Sequence, residues 1–186
     1  MNVWEALGLP VTLDLTAERI EDAFREASHG VHPDAGGQAG DFERLREARN
    51  DLLDECRRLE LWLLLNEQKL GHVGRVPERV GEMFLKVNQL VEAVDQWMEE
   101  GSLKSSTLGR ALWQKEGFRW KENVEALIAE VDAWHQEAVA DFGRIEEEAG
   151  KQEFTRAIER RVDLGFLRRW RTQLQTRYAR MWEQLI

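Results

Sequence analysis

The stretch Val-His-Pro-Asp-Ala-Gly-Gly, residues 31–37, decides the fold that this sequence predicts. Pro33 lacks the N–H that a helix interior needs and biases His32 away from the α region, so a helix is predicted to end here. The two glycines that close the stretch allow the backbone a wide choice of conformation, which is typical of a loop. The sequence therefore predicts a turn that displays His32 and Asp34 between two helices.

Amphipathic segments lie on both sides of this turn. Thr16 is predicted to cap the helix before it, and Asp41 the helix after it. In each segment apolar residues recur at three- and four-residue spacing, which predicts one apolar stripe per helix. The first stripe comprises Ile20, Ala23, Phe24, Ala27 and Val31, and the second comprises Phe42, Leu45, Ala48, Leu52, Cys56 and Leu59. Two such stripes predict an antiparallel helical pair. One short helical turn within residues 3–10, closed by Gly8 and stopped by Pro10, is expected to cover one end.

The composition predicts an all-α protein. The chain has 186 residues, of which 42% are hydrophobic and 33% are charged, and it contains only three prolines. This balance is typical of a folded and well-solvated helical protein rather than a disordered one. Runs that alternate apolar and polar residues are scarce, which argues against β-strands.

The net charge and the single cysteine limit the classes of function and location. The formal net charge is −9, since residues 1–150 carry −14 and residues 151–186 carry +5. An acidic body argues against binding to nucleic-acid phosphates, so binding through the basic last helix is a disfavoured third hypothesis. Cys56 has no disulfide partner, and neither a signal peptide nor a membrane-spanning stretch is evident. A cytoplasmic protein without membrane contact is expected.

The order of short helix, amphipathic helix, His-Pro-Asp turn and amphipathic helix resembles a J-domain, the module with which DnaJ-type co-chaperones engage DnaK-type chaperones. Ala23-Phe24-Arg25 stands where J-domains typically read Ala-Tyr-Arg, at the matching distance before the turn. The next segment is in register with the usual Phe, Ile, Ala, Leu and Asp pattern through Phe42, Leu45, Ala48, Leu52 and Asp54. The resemblance places a J-domain at residues 1–70.

This resemblance implies a role in binding a chaperone. In J-domains the His-Pro-Asp turn and the basic face of the second helix contact the ATPase domain of the chaperone and stimulate ATP hydrolysis. The corresponding chaperone-binding residues in this sequence are His32, Pro33, Asp34, Arg25 and Arg19. A rigid turn suits this role because it presents the Asp34 carboxylate for a charge-assisted hydrogen bond to a cation of the partner.

The helix before the turn departs from the J-domain pattern. J-domains usually carry many Lys and Arg residues there, whereas residues 18–26 contain four acidic residues against Arg19 and Arg25. Docking on the acidic surface of a chaperone is therefore expected to be weaker than that of a typical J-domain, or specific for one specialised partner. The same departure leaves open an alternative from another class, a structural or assembly module whose J-like domain does not activate a chaperone.

Three long periodic segments in the second half predict a three-helix antiparallel bundle at residues 71–186. Their apolar stripes lie at residues 80–98, 124–145 and 154–185. The Ser-rich segment 101–117, between the first two stripes, is expected to form a short helix or a lid. Trp113 and Trp120 are expected in the core, with an exposed binding patch as the alternative.

A J-domain followed by a small helical bundle, without a zinc finger or a Gly/Phe-rich segment, resembles the HscB family. That family delivers an iron–sulfur scaffold protein to a specialised DnaK-type partner of the HscA kind. Residues 164–170 are similar to the Leu-x-Phe-Leu-x-Lys-Leu stretch in the last helix of HscB. The resemblance implies client-binding residues on the bundle, and those that correspond are Met83, Phe84, Leu90, Phe166 and Trp170.

No constellation in the sequence supports an enzyme, a metal site or a bound cofactor. His29, His32 and Asp34 lie close in sequence, but they lack a fourth ligand and a neighbouring thiolate. Cys56 lies on an apolar stripe and is predicted to be a small core residue rather than a nucleophile. The sequence therefore predicts a non-enzymatic co-chaperone of HscB-like layout, with a client that could be an iron–sulfur scaffold.

Overall fold

The computed structural model describes residues 2–29, 39–69, 77–101 and 106–186. Within these residues it contains eight helices and no strand, which confirms the predicted all-α class. The helices are α1 (Val3–Ala6), α2 (Ala17–His29), α3 (Ala39–Leu53), α4 (Glu55–Leu65), α5 (Glu78–Gly101), α6 (Thr107–Ala140), α7 (Phe142–Ala149) and α8 (Thr155–Leu185). Across the described ranges, none of these helices is both long and apolar enough to span a membrane.

The helices form two compact units. The first unit contains Met1–His72 and Ala138–Leu164, and the second contains Val73–Glu137 and Gly165–Ile186. The sequence pattern predicts a division after residue 70, and the first unit also takes in α7 and the beginning of α8. These later segments contribute to its apolar core through Ala138, Phe142, Ile145, Ala149, Ala157 and Leu164.

The first helix is short and is fixed by its caps. The Asn2 side chain accepts the backbone N–H of Glu5 at 2.9 Å, and the Glu5 carboxylate accepts the backbone N–H of Asn2 at 3.0 Å. Gly8 follows with a φ of 65°, which glycine adopts without strain, and it ends the helix as predicted. Trp4 is fully buried and its indole N–H donates to the carbonyl oxygen of Thr12 at 3.0 Å, which ties α1 to the loop after it.

The starts of α2 and α3 differ in how well they were predicted. Thr16 caps α2 as expected, since its hydroxyl accepts the backbone N–H of Arg19 at 3.2 Å. The prediction that Asp41 caps α3 is wrong, because this helix begins at Ala39 and Asp41 lies in its first turn. A carboxylate in the first turn still stabilises the helix, since it lies near the positive end of the helix dipole.

The apolar stripe that follows the turn is divided between two helices. Asp54 has an extended backbone, with φ −82° and ψ 105°, and it separates α3 from α4. Its carboxylate accepts the backbone N–H of Arg57 at 3.0 Å and so caps α4. The sequence pattern predicts a single helix through this position, and that prediction is wrong. The short Asp side chain competes with the backbone hydrogen bonds that a continuous helix would need.

Arg58 is a buried cation in the first unit, with only 3% of its surface exposed. Its guanidinium donates to the carbonyl oxygens of Leu15 at 3.0 Å and Leu52 at 3.1 Å. The same group lies 5.5 Å from the centre of the Phe142 ring. Burial lowers the pKa of Arg58, because a charge is costly away from water. One side chain thus joins the loop before α2, the end of α3 and the start of α7.

The second unit is the predicted three-helix bundle, formed by α5 with most of α6 and α8. Its core comprises Val80, Met83, Val87, Val94, Trp97 and Met98 of α5, Trp113, Val124, Leu127, Val131 and Trp134 of α6, and Leu167, Trp170, Leu174, Met181 and Leu185 of α8. The expected short helix or lid at 101–117 is wrong from Thr107 onward, since α6 begins there and continues unbroken to Ala140.

A pair of tryptophans closes the end of the bundle where α5 ends and α6 begins. Trp97 and Trp113 stack with their ring centres 4.5 Å apart and their planes 7° from parallel. Each indole N–H donates to the backbone carbonyl of the other residue, at 3.0 and 2.8 Å. Gly101 and Gly117 permit this approach, because a Cβ at these positions would lie 2.4 Å from Trp113 and 2.2 Å from Trp97 respectively.

We expect Gly117→Ala to destabilise the second unit and Gly81→Ala to stabilise it. A methyl group at 117 meets the Trp97 ring, and overpacking of this kind costs about 1–3 kcal/mol. A methyl group at 81 has no heavy atom within 4 Å, so it only removes the helix penalty of glycine, roughly 0.5–1 kcal/mol. The measurement is the urea midpoint of each purified variant by circular dichroism. A midpoint for Gly117→Ala that matches or exceeds that of Gly81→Ala would contradict this explanation.

Candidate functional site

The predicted chaperone-binding turn, His32-Pro33-Asp34, lies outside the described residues. The structure does describe the two helices that lead into it and away from it. Helix α2 ends at His29 and α3 begins at Ala39, so the stretch joins the ends of these helices in the chain. The described part of the candidate site is therefore the α2–α3 pair.

Helices α2 and α3 pack through the apolar stripes that the sequence predicts. Ile20 is fully buried, and Ala23, Phe24 and Ala27 pack partly buried against the core of the first unit. Phe24 contacts Phe42, with the ring centres 6.0 Å apart and the planes inclined by 55°. This contact lies toward the end of the pair from which the His-Pro-Asp stretch departs.

An ion pair between the two helices reinforces this packing. The Arg49 Nε donates to the Glu21 carboxylate at 2.8 Å, and the guanidinium lies 5.3 Å from the centre of the Phe24 ring. The hydrogen bond from Arg49 lowers the pKa of Glu21 and raises the pKa of Arg49 itself. Of the four acidic residues of α2, Glu21 therefore uses its charge to bind α3.

The outward face of α2 carries both signs of charge. Arg19 and Arg25, the predicted chaperone contacts, are exposed. Arg25 forms an ion pair with Asp22, and both side chains are more than half exposed. Glu18, Asp22 and Glu26 follow one another at four-residue spacing and are also exposed. The face that J-domains use for docking therefore has more acidic than basic groups among the residues described here.

On α3, as on α2, exposed arginines form ion pairs with acidic residues of the same helix. Arg44 pairs with Asp41 at 3.4 Å, and Arg46 pairs with Glu43 at 2.5 Å, each arginine lying three residues after its acid. Exposed pairs of this kind contribute little to stability, because water and salt screen them. Their main effect is to leave the described surface of the α2–α3 pair without a strong positive field.

The predicted client-binding residues have different environments in the second unit. Met83 and Trp170 are buried in its core, and Leu90 and Phe166 are partly buried against it. Phe166 contacts Trp170, with ring centres 5.4 Å apart. Phe84 is on the surface, 48% exposed, and the adjacent Leu85 is 60% exposed. Phe84 is therefore the predicted residue most available to a client, and the assignment of this set stays a prediction.

Sequence reasoning did not find a groove between α5 and α6 in the second unit. The groove has a volume of about 470 Å³ and lies beside Trp120, whose side chain is partly buried. Trp113 is 7% exposed and belongs to the core, as the sequence predicts. The signal in the sequence was weak: Ala93 and Ala126 interrupt the larger side chains on facing helices, but alanine is common in helices.

Within the described ranges, no group of three or more His, Cys, Asp or Glu side chains could hold a metal ion. Cys56 is buried, as predicted for a core residue. Its thiol lies 4.0 Å from the carbonyl oxygen of Arg161, which is consistent with packing.

Comparison with known proteins adds one finding. No family model matches the chain, and no curated protein matches it. Among solved structures, the chain is similar to the chaperone HscB from Vibrio cholerae, with a TM-score of 0.64, 19% sequence identity and 100% of each chain covered. At this identity the similarity shows the fold. The chain therefore has an HscB-like architecture, a J-domain-like N-terminal part and a C-terminal helical bundle, as the sequence predicts.

Proposed function

We propose that this chain is a J-domain co-chaperone of a DnaK-type chaperone of the HscA kind. Its His32-Pro33-Asp34 turn stimulates the ATPase of that partner, and its bundle carries a client protein. We further propose that the client is an iron–sulfur cluster scaffold. In this proposal the chain catalyses no reaction of its own.

The observation that carries the proposal is the likeness to the HscB structure over the full length of both chains. Fold alone does not determine function, so the site must supply further support. That support comes from the α2–α3 pair, where Phe24, Phe42 and the Glu21–Arg49 ion pair hold the helices that flank the turn.

A specific observation favours the second candidate, the assembly module. The outward face of α2 carries Glu18, Asp22 and Glu26 beside Arg19 and Arg25, and Asp22 already pairs with Arg25. A face of this kind attracts an acidic chaperone surface weakly. ATPase measurements separate the two candidates, because an assembly module accelerates no chaperone.

We expect Asp34→Asn to abolish most of the ATPase stimulation. Losing a hydrogen bond to a charged group costs about 1.5–3 kcal/mol, so the stimulation should fall roughly 10- to 100-fold. The measurement is steady-state ATP hydrolysis by an HscA-type and a general DnaK-type chaperone at increasing concentrations of this protein.

The matched control is Glu153→Gln, the same carboxylate-to-amide change at an exposed acidic residue of the first unit. It should stimulate as the wild type does. Equal activity of Asp34→Asn and the wild type, or no stimulation of either chaperone by the wild type, would overturn the co-chaperone proposal and favour the assembly module.

We expect Glu18→Lys/Glu26→Lys to increase stimulation of a general DnaK-type chaperone. Both side chains are exposed on α2, and Glu21 is left intact because it holds Arg49. The added positive charge should strengthen docking by roughly three- to tenfold at low salt, and the gain should shrink as salt screens the charges. The measurement is the co-chaperone concentration that gives half-maximal stimulation.

The control for this charge reversal is Glu153→Lys/Glu159→Lys, which changes two exposed acids outside α2 by the same amount. It should leave the half-maximal concentration unchanged. If both double variants shift it equally, net charge rather than the α2 face determines docking.

We expect Phe84→Asp to weaken binding of an iron–sulfur scaffold protein. Phe84 is 48% exposed beside Leu85, so a carboxylate there disrupts apolar contact with a client without entering the core. An apolar anchor of this size typically contributes 2 kcal/mol or more, or about thirtyfold in affinity. The measurement is titration calorimetry with Leu108→Asp as control, since Leu108 is 71% exposed on another helix. Equal losses for both variants, or no complex with the wild type, would reject this client surface.

A further inference from the structure

A carboxylate on α7 holds the loop between α1 and α2. The two oxygens of Glu146 accept hydrogen bonds from the Thr12 hydroxyl and from the Leu13 backbone N–H, each at 2.9 Å. The bonded residues are 134 and 133 positions apart in the chain, and both segments belong to the first unit. A residue far outside the J-domain-like segment of the sequence thus binds the chain just before α2.

Helix α7 is packed in the first unit, so this carboxylate has a defined position. The residues of α7 that are buried in the core of that unit lie three and four positions apart, namely Phe142, Ile145 and Ala149. Glu146 is partly buried beside them. Glu148, two residues further on, forms an ion pair of 2.9 Å with Arg156 and so joins α7 to α8. The loop is therefore bound to a helix that is itself held by core packing.

The loop residues that follow are also held, up to the first residue of α2. Leu13 is fully buried, and the carbonyl oxygen of Leu15 accepts a hydrogen bond from Arg58 at 3.0 Å. Thr16 then caps α2. The bonds that involve Glu146 and Arg58 are charge-assisted, and bonds of this kind are stronger than those between neutral groups. These two side chains therefore contribute most to fixing the loop.

The charge of Glu146 acts on the same buried cation. Burial lowers the pKa of Arg58, and nearby carboxylates oppose this effect, namely Glu55, Asp14, Asp54 and Glu146. Glu146 differs from the other three because it also accepts two hydrogen bonds from the loop. Removing its charge alone and removing its hydrogen bonds are therefore two separate changes, which different substitutions can make.

The first turn of α2 depends on this loop for its position. Further along the helix, Ile20 is fully buried, and Glu21 and Phe24 contact α3, so packing holds the middle of α2. Before Ile20, the chain is joined to the loop through the Thr16 cap, whose hydroxyl accepts the backbone N–H of Arg19 at 3.2 Å. Arg19 is one of the predicted chaperone contacts, and it is the one nearest to the loop.

We propose that Glu146 is a positioning residue for docking on the chaperone, because it holds the loop that fixes the first turn of α2 and with it Arg19. The proposal rests on the co-chaperone function proposed above and adds α7 to the part of the chain that supports docking. Without the two hydrogen bonds, the first turn occupies the docking position for only a fraction of the time, and the apparent affinity falls by that fraction. The His32-Pro33-Asp34 turn follows the opposite end of α2, so maximal stimulation is preserved.

The experiment compares Glu146→Ala with Glu147→Ala in the full chain, since Glu147 is the next residue of α7 and is exposed. Steady-state ATP hydrolysis by an HscA-type chaperone is measured at increasing concentrations of each variant, which gives the half-maximal concentration and the maximal stimulation separately. Glu146→Ala should raise the half-maximal concentration roughly three- to tenfold and keep the maximal stimulation within about twofold of the wild type. Glu147→Ala should change neither value.

Two further variants separate positioning from stability and from charge. Phe154→Leu weakens the contact with Trp62 in the same unit and so destabilises it without removing a bond to the loop. At a temperature where circular dichroism shows every variant folded, it should leave the half-maximal concentration unchanged. Glu146→Gln removes the charge, but its amide can accept from Leu13 and donate to the Thr12 hydroxyl, so it should stay within about twofold of the wild type.

Hydrogen exchange of the Leu13 amide, followed by NMR, gives a readout that does not involve the chaperone. The Glu146 carboxylate accepts this N–H, so exchange should be about tenfold or more faster in Glu146→Ala than in Glu147→Ala. Unchanged exchange would overturn the proposal, because the loop would then be held without Glu146.

Three results of the ATPase measurement would also overturn it: equal half-maximal concentrations for Glu146→Ala and Glu147→Ala, an equal rise in Phe154→Leu, and a loss in Glu146→Gln as large as in Glu146→Ala. Each of these, with a wild type that stimulates the chaperone, rejects the positioning role and leaves the co-chaperone function intact. A wild type that stimulates no chaperone rejects the co-chaperone function itself, and the positioning role with it.

Discussion

The N-terminal unit depends on the buried guanidinium of Arg58, because it joins segments that are distant in the sequence. A buried charge costs several kcal/mol unless hydrogen bonds and nearby charges compensate it. Here the carbonyls of Leu15 and Leu52 accept hydrogen bonds from its Nη1 and Phe142 covers the group, while its buried Nε has no hydrogen-bond partner among the described residues. Nearby carboxylates also favour its charged form, namely Glu55, Asp14, Asp54 and Glu146. Both carbonyls lie next to helix boundaries, so Arg58 joins the end of α3 to the loop that precedes α2.

The α2–α3 pair uses its charges for two different purposes. Glu21 faces α3 and pairs with Arg49, so its charge contributes to the position of the helices. On the outward face, Arg25 is balanced by Asp22, which removes part of the attraction that steers acidic partners. Steering mainly affects how fast partners meet, whereas specific contacts determine how long they stay together. A helix α2 with more acidic than basic groups is therefore compatible with the role proposed for His32-Pro33-Asp34.

The helical class and the J-domain-like order could be predicted because apolar periodicity and a proline-containing turn are local features of the sequence. Thr16 and Gly8 were predicted correctly for the same reason, since a cap and a helix end depend on a few neighbouring residues. The break at Asp54 depends on competition between one side chain and the backbone, which periodicity does not report. Burial of Arg58 and the groove beside Trp120 depend on residues brought together by tertiary packing, and the sequence offered little sign of either.

Client binding could compensate for the weak docking face. If a client held on the bundle also contacts the chaperone, the J-domain-like part meets its partner at the high effective concentration of an intramolecular encounter, in the millimolar range for short connections. Weak docking through α2 is then sufficient when a client is present and insufficient when it is absent. Under the proposed function, Glu18 and Glu26 would thus make ATPase stimulation conditional on a client, because their charge lowers the affinity of the empty co-chaperone. In that case the acidic face of α2 restricts ATPase stimulation to the co-chaperone that holds a client. This specificity still requires an intact His32-Pro33-Asp34 turn.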